Sequence, residues 1–387
     1  MAQLDYRTAG ESHGQALIVL IEGLPAGLAI DGLRIDDALR RRQGGFGRGG
    51  RMKIEQDRAN VLSGVIQGAT IGSPLAIQIA NKDSRVDEAP AIHRPRPGHA
   101  DFAGAMKWLT TNCRSTLERA SARETAARVA AGAVAKLLLA EFGIEVDGFV
   151  GQIGAVEASV PEDLFGQPLR TARDANEAYC PDQAAAAEMI AAISEAKHDK
   201  DTRGGVVEVR ATGLPPGIGS CGRWQDKLDG RIMGAVGSIQ AIKGVEIGLG
   251  FGSAERPGSQ VHDEMDFDAT RRGEANVGFV RRTNRAGGLE GGMTNAMPVV
   301  VRAAMKPIST LLRGLDSVNL QTLQPERSDY ERSDICAVPA ASVVAEHVVA
   351  FEIARAFLEK FGGDTLGEVR AAYEHYLTGL RGMGAGR

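Results

Sequence analysis

The sequence predicts an α+β protein of two similar halves that pack around a shared helical layer. Three observations carry that expectation. Val19–Leu28 reads VLIEGLPAGL and Val209–Ile218 reads VRATGLPPGI, each a strand pattern entering a Gly-Leu-Pro turn. Ala122–Gly143 and Ala341–Gly362 share 8 identities over 22 aligned positions, and both end in Phe-Gly. Both of these longer stretches are small and apolar all round, the composition of a helix buried in an interior. The two echoes are offset by 190 and 219 residues, so a duplication must carry insertions. Ordinary alanine-rich helices, which resemble one another anyway, are the alternative to duplication.

In chain order, the strand at Val19 is followed by a short helix over Ile35–Gln43, with Ile35 and Leu39 on one face. Residues 44–53 (GGFGRGGRMK) form a glycine-rich, basic loop, and residues 81–99 a second loop of prolines, charges and His99. Residues 121–141 are the clearest helix, with Ser121 and Glu124 spaced as a capping box. Its alanines permit close approach of a neighbour, and 341–360 should be that partner. Residues 252–298, rich in Gly, Arg and Asp, read as a long loop. Loops of this length in compact enzymes are usually lids or ligand-ordered segments, so 44–53 and 252–298 are expected to be mobile without ligand.

Composition narrows the function. The chain has 387 residues, 43% hydrophobic and 24% charged, enough for a substantial core. Its net charge of −4 gives a nucleic-acid role no bulk support. Of 45 basic residues 35 are arginine, the side chain that binds planar oxyanions with two parallel bonds. A GC-rich genome would inflate arginine as well, so position decides. Cys113, Cys180, Cys221 and Cys336 show no C-x-x-C spacing, which argues against a disulfide framework or zinc site. The polar first residues and the lack of a long apolar run point to a cytoplasmic protein without a membrane span.

The chemistry concentrates in two histidine motifs set among arginines. Gly-Glu-Ser-His-Gly stands at 10–14 and Arg-Pro-Gly-His-Ala-Asp at 96–101, with Arg42, Arg48, Arg51, Arg96 and Arg123 around them. Imidazoles beside guanidinium groups suit proton-coupled chemistry on a phosphorylated polyanion. Gly45-x-Gly47-x-x-Gly50 formally matches a dinucleotide fingerprint, but it follows a helix instead of a strand. It is better read as a loop presenting Arg48 and Arg51. Arg123 lies in the first turn of the long helix, where a cation opposes the dipole, which points to an anion nearby. Lys306–Thr310 suits a phosphate or flavin-ring contact, and Arg332-Ser333-Asp334 precedes the second long helix. The remaining histidines (His93, His198, His262, His347, His375) read as structural, and none forms a metal-ligand pair.

An ordered series of motifs then covers nearly the whole chain: GESHG, RRRQGGFGRGGRM, RPGHAD, ERASARETAARVA, SIQAIKGVEIG, RTNRAGGLEGGMTN, MKPIST and RSDICAVPA. In these the chain resembles the chorismate synthase family; 150–200 carries no matching motif. The resemblance implies trans-1,4-elimination of phosphate from 5-enolpyruvylshikimate 3-phosphate, in the shikimate pathway of aromatic amino-acid biosynthesis. It implies reduced FMN without net redox change, a β-α-β sandwich with a helical layer between two antiparallel sheets, and a homotetramer. One domain is expected over 1–387, its halves roughly 1–200 and 201–387.

The resemblance also implies residue roles. His13 would protonate the departing phosphate, His99 would protonate or hold the flavin near N1, and Asp334 would help deprotonate N5. Arg42, Arg48, Arg51, Arg96 and Arg123 would bind substrate, as would Arg332. Arg42 and Arg48 are also positions assigned to NADPH in the family. FMN contacts carry over to Arg119, Ala120, Ser121, Gln240, Ala241, Gly291, Lys306, Pro307, Ile308, Ser309, Thr310 and Arg332. Family members that reduce FMN themselves carry inserted segments; this compact chain is expected to use an external source of reduced flavin. Two other classes remain open: an FMN-dependent oxidoreductase using the same pocket, and a non-enzymatic anion or nucleic-acid binder built on the arginine loops.

Overall fold

The computed structural model describes residues 3–50, 55–328, 331 and 333–383; Arg51 and Arg332 lie outside them. The first sheet is built from β1 (Asp5–Ala9), β2 (Ala16–Glu22), β3 (Asn60–Ser63) and, beyond a hairpin of β4 (Val65–Ile66) and β5 (Ala69–Thr70), β6 (Leu75–Ala80). Its order is β1-β2-β6-β3, antiparallel throughout. The second sheet takes β7 (Glu145–Ile153), β8 (Val156–Glu157), β9 (Gly205–Thr212) and β10 (Ile242–Ile247). Past two short ladders, β11 (Met265–Phe267) with β12 (Phe279–Arg281) and β13 (Leu289–Glu290) with β14 (Met293–Thr294), it ends with β15 (Val299–Met305). Its order is β10-β15-β9-β7-β8. A last ladder pairs β16 (Asp316–Val318) with β17 (Pro325–Arg327).

The strands alternate as half-buried strands must. Leu17, Val19 and Ile21 of β2 and Leu75, Ile77 and Ile79 of β6 point inward, as do Val207, Val209 and Ala211 of β9. Each such aliphatic side chain contributes about 1.5–3 kcal/mol on burial.

The helices are α1 (Gly32–Gln43), α2 (Asp101–Lys107), α3 (Arg114–Arg119), α4 (Thr125–Ala140), α5 (Gly166–Asp174), α6 (Gln183–His198), α7 (Leu228–Gly237), α8 (Val338–Phe361) and α9 (Leu366–Gly382). The α4–α8 pair is the most extensive helix contact; α4 also packs on β1, β2 and β6, and α8 on β7, β9 and β15. One contiguous core runs from Leu4 to Leu377. Gly132 sets the closeness of the pair: a Cβ there would fall 2.2 Å from the His347 carbonyl oxygen. No helix among the described residues is long and apolar enough to cross a membrane.

The two Gly-Leu-Pro turns have the same conformation and the same bonds. Gly23 and Gly213 both have φ 79, in the left-handed region that glycine tolerates. Thr70 Oγ1 donates to the Pro25 carbonyl at 2.6 Å and accepts from Leu28 N at 2.9 Å. Thr294 Oγ1 donates to the Pro215 carbonyl at 2.6 Å and accepts from Ile218 N at 2.9 Å.

Three expectations need correction. Ser121 and Glu124 form no capping box: Ser121 Oγ accepts from Arg123 N, while Glu124 turns to Thr8, Arg128 and Gln240. A 3₁₀ turn over Ala122–Glu124 therefore precedes α4. The segment 252–298 is not structureless: it holds β11–β14, and Asp263 accepts from Arg285 N and Ala286 N at 2.8 and 2.9 Å. Strands of two or three residues are too short to register as hydrophobic alternation. Finally, β7 and β8 lie before residue 200 yet pair with the second sheet, so the sheets do not divide the chain near 200. Pairing partners distant in sequence leave no local signal.

Candidate functional site

A cavity of about 620 Å³ opens where the N-termini of α4 and α8 converge. Four strand or helix ends feed it: the end of α1 brings Arg42 and Arg48, the turn before α4 brings Ala120–Arg123, the α7–β10 junction brings Ile239–Lys243, and the end of β15 brings Met305 and Lys306. The loop before α2 adds Arg96 and His99, and the approach to α8 adds Ser333, Asp334 and Ala337. The lining is thus both basic, with Arg42, Arg48, Arg96, Arg123, Lys243 and Lys306, and aliphatic, with Ile239, Ile242, Ile308 and Val344.

The basic wall is held by buried acceptors. Arg123 donates from Nη1 to Asp57 Oδ2 at 2.6 Å and from Nε to Asn81 Oδ1 at 2.9 Å. Arg42 donates from Nε to Thr125 Oγ1 and from Nη2 to the Ala122 carbonyl, both at 2.8 Å, with Asp57 Oδ2 3.6 Å from its Nη1. Burial lowers the Arg42 pKa to about 9, against the opposing pull of Asp57. Arg42 Nη1, Arg123 Nη2 and Arg48 Nε are buried with no hydrogen-bond partner among the described residues. Buried unpaired donors are costly, so such nitrogens mark where anionic oxygens would complete the site.

Asp334 caps the other end, accepting from Arg48 Nη1 and from Gly49 N, each at 2.7 Å. His99 lines the cavity, with its Nδ1 hydrogen-bonded to Asp101. Burial pushes the Asp101 pKa up, but bonds from His99 and Arg96 outweigh it and hold the carboxyl well below its usual range. Arg96 reaches onward to Thr310 Oγ1 at 2.9 Å, tying this loop to the segment after β15.

His13 is placed differently. It sits in the β1–β2 turn and is not on the cavity wall. Its Nδ1 is 2.9 and 3.1 Å from the Glu118 oxygens, its backbone N donates to the same carboxylate, and its Nε2 is 3.8 Å from Asp83. Burial raises the Glu118 pKa, but His13 and Arg114 bring it below the usual carboxylate value. The adjacent Ser12 hydroxyl is 3.2 Å from Ser121, which does line the cavity.

The positions expected to contact a flavin divide. Ala120, Ser121, Gln240, Ala241, Lys306, Ile308, Ser309 and Thr310 line the cavity. Arg119, Pro307 and Gly291 do not: Arg119 donates to the Thr8 and Gly10 carbonyls, and Gly291 turns the β13–β14 hairpin with φ 60. Ala241 has φ 68, unusual for a residue with a Cβ, and its carbonyl accepts from Lys306 N at 2.9 Å. The turn sends Gln240 Nε2 to Glu124 and leaves Gln240 Oε1 buried without a partner among the described residues. Burial and the nearby Lys243 ammonium lower the Lys306 pKa. Aliphatic side chains, an unpartnered buried acceptor and a lysine in one lining are groups that could hold a flavin ring and its phosphate.

Asp57, Asn81, Asp101 and Glu118 were not singled out in the sequence. Asp101 and Glu118 stood within quoted motifs and could have been; nothing local marks Asp57 or Asn81.

Comparison with known proteins gives consistent matches. The profile of the family described as "Chorismate synthase" matches residues 4–358. The chain is 56% identical to a chorismate synthase of Geobacter sulfurreducens, covering 98% of this chain and 99% of that one. It is 52% identical to one of Desulforudis audaxviator, covering 99% and 100%. A solved structure titled "Crystal Structure of Chorismate Synthase" superposes with a TM-score of 0.78 at 40% identity, covering 98% of this chain and 99% of that one.

Proposed function

The chain belongs to the chorismate synthase family, and from that premise we propose how its own residues carry the reaction. The enzyme converts 5-enolpyruvylshikimate 3-phosphate to chorismate and phosphate, a lyase step of aromatic biosynthesis. Phosphate leaves C3 and hydrogen leaves C6 in a trans-1,4-elimination. The C6 hydrogen is not acidic, so a side-chain base alone is poorly matched to it. Reduced FMN, when bound, lends electron density for departure of phosphate and recovers it as the C6 hydrogen leaves, so there is no net redox change.

The observation that carries this reading is the cavity itself, whose lining joins aliphatic side chains to buried guanidinium nitrogens that have no hydrogen-bond partner among the described residues. Arg42, Arg48, Arg96 and Arg123 bind the substrate phosphate and carboxylates, each charge-assisted bond contributing about 1.5–3 kcal/mol. We assign Arg42 and Arg48 to substrate and not to NADPH, because both share the wall with Arg123 and Asp334. Ala120, Ser121, Gln240, Ala241, Lys306 and Ile308–Thr310 would hold the flavin. His99 would exchange a proton with the flavin through Nε2, since Nδ1 meets Asp101, and Asp334 would accept one at a carboxylate oxygen. His13 lies off the cavity wall, so protonating the departing phosphate would need a path through Ser12 and Ser121 or a movement of its loop; Nε2 is the nitrogen left for it, since Nδ1 is committed to Glu118.

A homotetramer in the cytoplasm, supplied with reduced flavin from outside, completes the reading. The exposed apolar Phe102, Met106, Trp108 and Leu109 supply surface for subunit packing. A β-α-β sandwich of duplicated halves is also proposed. The order β1-β2-β6-β3 repeats as β7-β9-β15-β10, and each set is followed by a long buried helix. The halves then meet near 141–144 instead of 200.

The decisive assay is anaerobic: enolpyruvylshikimate phosphate and photoreduced FMN, without NADPH. Equal chorismate and phosphate, with the flavin still reduced at the end, is expected. Flavin oxidised in proportion to product would replace this reading with an oxidoreductase.

A further inference from the structure

Asp101 is fully buried and sits at the centre of a four-bond cluster. Its Oδ2 accepts from Arg96 N at 3.1 Å and from Arg96 Nε at 2.8 Å. Its Oδ1 accepts from Arg96 Nη2 at 3.1 Å and is in short contact with His99 Nδ1. A backbone amide and a guanidinium can only donate, so both oxygens already act as acceptors. A carboxylate has no proton to give, and Asp101 is held in that form by the same neighbours. Arg96 Nη2 also lies 3.0 Å from His99 Nδ1, but Asp101 is closer and a carboxylate facing a bare nitrogen would be repelled, so the hydrogen between Asp101 and His99 belongs to the imidazole.

We infer that Asp101 is a positioning residue that fixes His99 as the tautomer protonated on Nδ1, leaving Nε2 as the atom that exchanges protons with whatever fills the cavity. The same carboxylate anchors Arg96, so one buried group sets the spacing between a substrate arginine and the histidine. Arg96 also donates from Nη1 to Thr310 Oγ1 at 2.9 Å, which ties the cluster to the segment after β15. The inference rests on the catalytic reading of His99, yet its readout is independent of it. Second groups of this kind, holding a ring in one tautomer, control proton transfer in other histidine-dependent sites.

The substitution Asp101→Asn makes a directional prediction. Because Oδ2 receives two N–H donors, the amide oxygen must occupy that position. The amide NH₂ then replaces Oδ1 and presents a donor to Nδ1, which drives the imidazole proton to Nε2. The test is ¹⁵N NMR of protein labelled at its seven histidines, with His99→Gln identifying the His99 resonances. In the native chain the neutral ring should show a protonated Nδ1 and a bare Nε2; in Asp101→Asn the two should exchange. Turnover with reduced FMN should fall by roughly 10²–10⁴-fold in Asp101→Asn, and KM should rise as well, since Arg96 loses its carboxylate anchor. A proton on Nε2 in the native chain overturns the inference without needing any variant to fold. So does an unchanged tautomer in a folded Asp101→Asn. Exchange of the tautomers with undiminished turnover upholds the positioning role and instead removes His99 from the chemistry, which His99→Ala at native rate would corroborate.

Discussion

Asp57 is the shared counter-ion of two arginines that we assign to substrate, and Asp57→Asn separates its structural from its functional effect. The carboxylate lies 2.6 Å from Arg123 Nη1 and 3.6 Å from Arg42 Nη1, with all three groups buried. Removing one partner of a buried ion pair costs about 3–5 kcal/mol. Asn retains one acceptor for Arg123, so the low end, about 3 kcal/mol, applies. At about 2.1 cal/mol/K per residue, the entropy of unfolding is roughly 0.8 kcal/mol/K for this chain, so the apoprotein Tm should fall by about 4 °C. Anion binding should change in the opposite sense. Without Asp57 the wall carries one more net positive charge, and affinity for phosphate or substrate should rise about tenfold, or about 1.4 kcal/mol. Scanning fluorimetry of native and variant protein, with and without inorganic phosphate, reads both effects. Saturating ligand should raise Tm about 2 °C more in the variant than in the native chain. An unchanged apoprotein Tm, or a smaller ligand-induced rise in the variant, would refute the counter-ion reasoning; the latter would mean that Asp57 mainly shapes the site.

Four further expectations follow from the same geometry. Arg48→Ala should raise KM by about 10–100-fold with a lesser change in kcat, whereas Asp334→Ala should lower kcat by roughly 10²–10⁴-fold; steady-state kinetics with excess reduced FMN distinguishes them, and full turnover by Asp334→Ala would remove it from the mechanism. Gly132→Ala must place a Cβ 2.2 Å from the His347 carbonyl, so α4 and α8 must part; a loss of about 3 kcal/mol should appear in thermal unfolding, and a native Tm would contradict the packing. Burial, opposed by Glu346, lowers the His347 pKa from 6.5 to about 4, so the unfolded chain takes up its proton first as pH falls. The stability this neutral ring confers is complete above about pH 6.5 and lost progressively toward pH 4; urea unfolding should show about 2 kcal/mol less stability at pH 5 than at pH 7, and His347→Gln should remove most of that difference. Hydrogen exchange over 252–298 should slow when substrate and reduced FMN bind, and strong protection throughout that segment in the apoprotein would rule out a ligand-ordered lid.

Much of the architecture was legible because it depends on local composition. Most residues of α4 and α8 are apolar, with many alanines, which an interior accommodates, and most of both helices is buried. The Gly-Leu-Pro turns were legible because left-handed backbone demands glycine. Arg42, Arg48, Arg96, Arg123 and His99 were legible as residue types matched to a polyanion and to proton transfer, Asp334 only through the family resemblance, and the fold brings all of them to one cavity. Less could be read where function depends on partners. Asp57 is 66 residues from Arg123, and Asn81 is 42 from it, so neither shares a motif with the arginine it orients. His13 and His99 look alike as sequence motifs, yet only His99 faces the cavity.

By itself, then, the sequence determined the buried helices, the turns and the chemical kind of ligand, because these follow from each residue's own shape, polarity and charge. Only the tertiary structure decided which sheet β7 joins, which carboxylate neutralises which guanidinium, and which nitrogen of His99 meets Asp101. Those outcomes depend on distances between side chains remote in the chain, and such distances do not exist until the chain has folded.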